Sequence, residues 1–289
     1  MYEIIIHAHE VAAEAIGAFL ESRGIPYGVG TEPEREAVKV FFYLEEKVWR
    51  GLKGLMWEKL QEIGSIFRIP HPVIEESPLQ EDWKVAWKRY ARTYRIRDAL
   101  VIKPSWRSFR KSPACPVISI DPQMAFGTGG HPSTRLCLYY LVDIAETCPL
   151  RMEKVLDVGT GSGVLAIAAA KLGARCIHAI DVDSDAVKTA KENIRRNGVE
   201  ANIVLERKEL REVQDRFPLI LANLEESVLL SLLPEFSRRV ASDGWLIVSG
   251  LVSRQGRTFV ARAREEGWRK VSHRHSGVWV SYCLERGRE

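Results

Sequence analysis

The chain reads as an α/β protein, a Rossmann-like domain with a mainly parallel sheet preceded by a smaller α+β ferredoxin-like domain. Three observations predict this. From Val155 onward, apolar runs (VLDVG, CIHAID, NIVLE, LILAN, WLIVSG) alternate with helical segments, the pattern of a parallel sheet covered on both faces. The first of those runs opens directly into a glycine turn, VLDVGTGSG at 155–163. The first seventy residues follow instead the order βαββαβ, that of the split ferredoxin-like unit.

Tyr2–Ala8 is a β-rich run, and Val11–Ser22 has helical spacing with Ile16, Phe19 and Leu20 on one side before Gly24 stops it. Strands are expected near Tyr27–Thr31 and at Ala37–Leu44. Val48–Ile63 is a second helix, with Leu52, Leu55, Met56 and Leu60 at i, i+3, i+4 spacing. Gly64 then ends the helix, and SIFRI (65–69) supplies the last strand. The prolines and acidic groups of 70–82 have the composition of a linker. Trp83–Tyr94 reads as a connecting helix that packs Trp83 and Trp87 onto a neighbour and carries Lys84, Lys88 and Arg92 on another side. The expected organisation is therefore 1–70 ferredoxin-like domain, 71–95 linker and connecting helix, and 96–289 Rossmann-like domain. In the last of these, Val164–Leu172 is an Ala-rich helix closed by Gly173, and Ala186–Asn197 a helix closed by Gly198. KVSHRHSGVWVSYCLE reads as two strands turning at Ser276–Gly277, an antiparallel addition at the end of the sheet.

Composition bounds the function. Of 289 residues, 46% are hydrophobic and 28% charged, enough apolar material for a real core. The net charge of +4, from 42 basic against 38 acidic residues, is too small to mark a nucleic-acid-coating protein, and no direct nucleic-acid site is evident. Five scattered cysteines without a CxxC pair imply reduced, mostly buried thiols rather than zinc. His7 with His9, and His273 with His275, share strand faces but lack a third ligand, so no metal site is expected. The opening MYEIIIHAHE has no basic leader, and no window is long enough to span a bilayer. A cytoplasmic protein without a membrane partner is expected.

The chemistry concentrates between residues 121 and 224. Gly159, Gly161 and Gly163 permit a tight turn and close approach of a ligand to the main chain. A dinucleotide fingerprint would need glycine at 164, where this chain has Val164, so a nicotinamide enzyme is the weaker reading. Asp181 ends the second strand of this domain about twenty residues beyond the loop, where a carboxylate accepts hydrogen bonds from both ribose hydroxyls of a nucleoside. Read blandly it is a helix-start residue, a role that Asp183 or Ser184 fills better. Asn223 stands at the mouth of LILAN, at the edge where open α/β sheets bind ligands, although an isolated Asn there also reads as a turn former. DPQMAFGTGGHPSTRLCL (121–138) joins a glycine turn to a helix start at Pro132, Ser133 and Thr134, and can fold over a ligand as a lid. His131 in that block reads as structural.

With these segments the chain resembles the ribosomal protein L11 methyltransferase family over nearly its full length. The carrying residues are DPQMAFGTGGHPST, VLDVGTGSGVLAIAAAKLGA, IDVDSDAVKTAKENIRRNGV and LILANL, with LVIKPSWRS (100–108) ahead of the catalytic domain. The glycine loop and Asp181 are shared with many methyltransferases, whereas the AFGTG-x-HP-x-T block is specific. The resemblance implies a Rossmann-like methyltransferase domain that uses S-adenosylmethionine, and an N-terminal domain that recognises a protein substrate, a large-subunit ribosomal protein. It implies a cofactor site lined by Thr134, Gly159, Gly161, Asp181 and Asn223, with Phe126 and Thr128 as further contacts and Asn223 as the catalytic-site residue. Two departures stand out. Gly130 replaces a usual threonine, with loss of a hydroxyl and gain of flexibility, and LEES follows Asn223 where small apolar residues ending in Pro-Leu are common. Glu225 and Glu226 would bring two carboxylates beside the acceptor amine.

Three readings follow. The first is methylation of amines (lysine side chains, an N-terminal amine, or both) of a ribosomal protein. The second keeps the chemistry but acts on lysines of another protein or on a small molecule, with LEES as its support. The third is a non-catalytic cofactor-binding regulatory module, which an intact Gly159, Asp181 and Asn223 argue against.

Overall fold

The computed structural model describes residues 1–21, 23–25, 27–31, 37–79, 91–109, 115–121 and 129–287. The chain divides into two compact units, Met1–Arg92 and Thr93–Glu289.

In the first unit, strands β1 (Tyr2–His9), β2 (Tyr27–Thr31), β3 (Ala37–Leu44) and β4 (Val73–Pro78) form an antiparallel sheet in the order β2-β3-β1-β4. Helix α1 (Glu10–Glu21) follows β1, and α2 (Glu46–Phe67) follows β3, which completes the βαββαβ order. Period-two burial on the strands sets the packing face. Ile4, Ile6, Val38, Val40 and Phe42 meet Ile16 and Leu20 of α1 and Trp49, Met56, Leu60 and Ile63 of α2.

Two placements differ from expectation. Helix α2 runs through Gly64 to Phe67, and the last strand is Val73–Pro78 rather than 65–69. Gly64 is a contact residue: a Cβ there would lie 2.3 Å from the His71 ring. The helix stops at Arg68, whose left-handed φ of 54° lets the Ile69 amide turn back to the Gly64 carbonyl at 3.1 Å. The acidic run 73–78, read as linker, pairs along β1 from Tyr2↔Pro78 to His7↔Val73.

The second unit begins with a small sheet of β5 (Tyr94–Ile96), β6 (Leu100–Pro104) and β7 (Val117–Ile120), antiparallel then parallel. Of the expected helix 83–94, residues 83–90 lie outside the described residues. Tyr94, its expected last residue, is already in β5, paired with Ile102. Helix α3 (Pro132–Thr147) leads into β8 (Lys154–Val158), α4 (Val164–Lys171), β9 (Cys176–Asp181), α5 (Ser184–Asn197) and β10 (Ile203–Arg207). Then come β11 (Phe217–Asn223), α6 (Glu226–Arg239), β12 (Val240–Val252), α7 (Ser253–Glu265), β13 (Trp268–Ser276) and β14 (Trp279–Arg286). The seven strands are ordered β10-β9-β8-β11-β12-β14-β13, parallel except for β14, which runs against both neighbours. This is a Rossmann-like sheet with the expected antiparallel addition.

Alternation along the strands feeds two cores. Val155, Leu219, Leu221 and Ile247 pack towards α3, α4 and α5, and β5–β7 close that side with Ile96, Ile102, Ile118 and Ile120. Leu156, Ile220, Ala222, Leu246 and Val248 pack the other way, against α6 and α7 through Leu229, Leu233, Phe236 and Phe259. Among the described residues no helix is long and apolar enough to cross a membrane.

Trp49 supplies a test of the first unit. Its indole is 1% exposed, meets Phe42 edge-on, and donates from Nε1 to Glu76 Oε2 on β4 at 2.6 Å. Trp49→Ala should cost about 3–5 kcal/mol in chemical denaturation. The hydrogen bonds from Lys53 and then Trp49 hold the Glu76 carboxyl below its usual range. Its stabilising contribution is therefore full above the ordinary carboxylate pKa and lost as pH falls through the lowered one. Trp49→Phe should start that acid loss at higher pH, measured by melting temperature between pH 3 and 6 (~ranges of carboxylate titration).

Candidate active site

The order of strands reverses at β8: the chain moves to β9 and β10 on one side and to β11 and β12 on the other. At such a switch point the loops leave in opposite directions and open a crevice at the carboxyl edge. Gly159, Asp181 and Asn223 stand at the carboxyl ends of β8, β9 and β11, three adjacent strands. Asp181 and Asn223 are thus separated by two strand spacings, on the order of 10 Å.

The glycine loop is tied down from beneath and from the side. Asp157 is buried under it, and its Oδ2 accepts from Thr160 Oγ1 at 2.7 Å and from the Ala166 amide at 3.1 Å. Gly159 and Thr160 both donate their amides to the Ile180 carbonyl, at 2.9 and 3.0 Å. Gly159, Gly161 and Gly163 all have positive φ. At Gly159 the constraint is also spatial, because a Cβ would lie 2.4 Å from Leu224 Cδ2.

Asp181 takes Gly161 N on Oδ2 at 2.9 Å and Asp183 N on Oδ1 at 3.0 Å. A carboxylate offers about four acceptor positions, so about two remain for a ligand diol. Asp183 caps α5, its Oδ1 accepting from Asp185 N at 2.9 Å, as the sequence assigned it.

Asn223 meets Thr134 across the crevice: its Nδ2 donates to Thr134 Oγ1 at 3.1 Å. Its Oδ1 is buried and has no hydrogen-bond partner among the described residues. Thr134 is held there because Ser249 Oγ, on β12, donates to the Ser133 carbonyl at 2.9 Å, while the Ser249 carbonyl accepts from Leu224 N at 3.2 Å. His131 is the N-cap of α3, with Nδ1 accepting from Ser133 N at 3.3 Å. Burial lowers its imidazole to about 4, so the ring is neutral and its Nδ1 can accept. That is the structural role read for it.

Phe126 and Thr128 lie outside the described residues. Gly130, expected to bring flexibility, is a packing glycine: a Cβ there would lie 2.5 Å from the Tyr94 ring and hydroxyl. Tyr94 fills the place of a side chain at 130. Glu225 is exposed at the N-cap of α6 and Glu226 is half-buried, directly beyond Asn223. Sequence reasoning passed over Asp157, Ser249 and Tyr94. A charged residue within the apolar VLDV was a signal for the first, whereas the other two carry none that is local.

A sequence profile described as "Ribosomal protein L11 methyltransferase (PrmA)" matches residues 2–287. The chain is 42% identical over 214 residues to a ribosomal protein L11 methyltransferase of Geotalea daltonii, covering 71% of this chain and 68% of that one. It is 34% identical over 256 residues to the namesake of Pelobacter propionicus, covering 87% and 82%. A crystal structure of ribosomal protein L11 methylase from Lactobacillus delbrueckii subsp. bulgaricus superimposes with a TM-score of 0.62 at 31% identity, over 68% of this chain and 100% of that one.

The buried Asp157 generates a pH test. Burial above all, opposed by the Thr160 and Ala166 hydrogen bonds and aided by the charge of Asp181, pushes its carboxyl up to about 6. A raised folded pKa means that its favourable contribution is complete below the unfolded carboxylate value and is lost as pH rises through about 6. Asp157→Asn removes this titration. The stability difference between variant and wild type should shift in the variant's favour as pH rises from below the carboxylate range to above neutrality, read by urea denaturation. A difference independent of pH would show that Asp157 does not titrate there.

Proposed function

Because the chain belongs to the ribosomal protein L11 methyltransferase family, we propose that it transfers methyl groups from S-adenosylmethionine to amines of a large-subunit ribosomal protein, on lysine side chains, the N-terminal amine, or both. The single observation that carries this reading is the buried Oδ1 of Asn223, unpartnered among the described residues, on a side chain held by Thr134 at the end of β11 beside the glycine loop.

The residues fit the cofactor. Asp181 has acceptor capacity left for a ribose diol. The positive φ of Gly159, Gly161 and Gly163 gives the loop a backbone path that residues with a Cβ rarely adopt. Thr134 and Asn223 bring a hydroxyl and an amide to the methionine end, and Phe126 and Thr128 would add contacts from the block before α3. Bound S-adenosylmethionine supplies an activated methyl group on a cationic sulfur.

The rest falls to the chain. A lysine amine has a pKa near 10.4, so only about 0.1% is neutral at physiological pH. Desolvation in the crevice favours that neutral form. Asn223 Oδ1 accepts an N–H of the amine and aims its lone pair. An amide oxygen is too weak a base to take the proton, which leaves to solvent. Alignment of this kind contributes at most about 7–11 kcal/mol. Residues 1–92 hold the substrate protein, and residues 93–289 carry the chemistry. An enzyme with a ribosomal target works in the cytoplasm.

A second reading, an amine on another protein or a small molecule, draws on Glu225 and Glu226. These two carboxylates have no ion pair among the described residues and could draw in cationic groups of a different target. The test is incubation with labelled S-adenosylmethionine and purified ribosomal protein L11, followed by mass spectrometry. Methylated lysine or N-terminal amine is expected. Unmodified ribosomal protein L11, with label taken up instead by other components of a cell lysate in a parallel incubation, would favour the second reading.

The division of labour is tested by a chain shortened to 93–289. Its affinity for S-adenosylhomocysteine should stay within about threefold of full length, since every cofactor residue named is retained. Its kcat/KM for the protein substrate should fall at least about tenfold, because tethered recognition confers an effective concentration near the millimolar range. Full efficiency in the folded short chain would remove the recognition role.

A further inference from the structure

Helix α5 carries two carboxamides whose contacts the cofactor reading does not use. Asn197 Oδ1 accepts from Ser119 N at 2.9 Å, and its Nδ2 donates to the Ser119 carbonyl at 2.8 Å. One turn earlier, Asn193 Oδ1 accepts from Asp121 N at 2.9 Å, and its Nδ2 donates to the Asp121 carbonyl at 2.9 Å. Each amide thus grips both backbone groups of one residue, as a paired strand would. The pitches match: four helical residues rise about 6 Å and two strand residues about 6.6 Å. The helix in this way completes the edge of β7 that β6 does not cover.

The two amides differ in their remaining hydrogen. Asn197 Nδ2 also donates within the helix, to the Asn193 carbonyl at 2.8 Å. Asn193 Nδ2 donates to the Ser162 carbonyl at 2.9 Å, inside the glycine loop. Arg196 Nη1 donates to Asn193 Oδ1 as well, so this fully buried amide uses both hydrogens and both acceptor positions. Ser162 follows Gly161, whose amide fixes Asp181, and Asp121 opens the block that carries Phe126 and Thr128.

We propose that Asn193 is a positioning residue for the cofactor site: one side chain joins the glycine loop at Ser162 to the backbone at Asp121, where the 121–134 block begins. The inference rests on the cofactor reading above. Asn193 is fully buried with every hydrogen-bonding position taken, so it acts through the loop and not on the ligand itself. It sets the loop carbonyl, and through the adjacent Gly161 peptide the carboxylate that takes the ribose, relative to the backbone at Asp121. Aspartate has the shape but no hydrogen to donate, and alanine removes the hydrogen bonds that tie Ser162 and Asp121 to the helix.

Asn197 is the control, since it makes the same grip on β7 without reaching the glycine loop. Full-length wild type, Asn193→Ala and Asn197→Ala are compared by calorimetry with S-adenosylhomocysteine, by melting temperature and by steady-state kinetics. Both variants should melt lower. Only Asn193→Ala should raise the Kd, by about 30-fold or more against about threefold or less for Asn197→Ala, and its KM for the cofactor should rise more than its kcat falls. Equal rises in the two variants, or an unchanged Kd in folded Asn193→Ala, would overturn the proposal. If Asn193→Ala does not fold, amide exchange on the wild type decides. Ligand binding should slow exchange at Asp121 more than at Ser119, and equal or absent slowing overturns the inference. A wild type that binds no S-adenosylhomocysteine would overturn the cofactor reading, and this inference with it.

Discussion

Asp157 lies beneath the turn from β8 into α4, and its one oxygen Oδ2 holds both sides of that turn through Thr160 and Ala166. A carboxylate within an apolar, buried strand is costly to bury, and here the cost is offset by closing on one point a turn whose ends lie nine positions apart. The rest of the carboxyl edge depends on that turn. The amides of Gly159 and Thr160 can share the Ile180 carbonyl only with the turn in place, and Gly161 can reach Asp181 only from there. On the other side Leu224 is wedged between two glycines. A Cβ on Gly159 would meet its Cδ2 at 2.4 Å, and one on Gly250 would meet its carbonyl at 2.2 Å. The residue after Asn223 is therefore fixed by the absence of side chains around it.

Both units use polar groups on helices to secure strands that apolar packing alone would leave free to slide. In the first unit, Trp49 and Lys53 of α2 take the two oxygens of Glu76 on β4, a strand with little buried surface of its own. In the second, Asn197 and Asn193 of α5 take the backbone of Ser119 in β7 and of Asp121 directly after it. Apolar contacts are non-directional and tolerate a shift of register, whereas a two-point hydrogen bond does not. Hydrogen bonding fixes register here, and the hydrophobic clusters supply the bulk of the burial.

The arrangement also separates general from particular chemistry. The loop, Asp181 and the Asn223–Thr134 pair are inside the crevice and built from backbone and short side chains, with little room to vary. Glu225 and Glu226 lie at its rim, and Tyr94 packs behind Gly130. Changes at those places alter charge and packing around the site without disturbing the groups within it. A carboxylate at such a rim stays solvated and costs little.

Much of this was legible in the residues alone. Alternating apolar runs and helical spacing determined the βαββαβ unit and the parallel sheet, because those periodicities are local and follow from backbone geometry. The spacing from the glycine loop to Asp181, and Asn223 at the end of LILAN, brought the candidate site into one neighbourhood. The exceptions share a cause. Gly64 is a stop signal by propensity but in place a contact with His71, and the acidic 73–78 is a linker by composition but a strand by its pairing with β1. Likewise ENIRRN shows two asparagines one turn apart, which by themselves are ordinary helix-surface residues. Only the fold brings Ser119 of β7 and Asp121 just after it, 78 and 72 residues away in the chain, against them and turns each amide into a strand-like partner. Contacts of that kind leave no periodic trace, since a hydrogen bond between distant segments depends on where both segments come to rest.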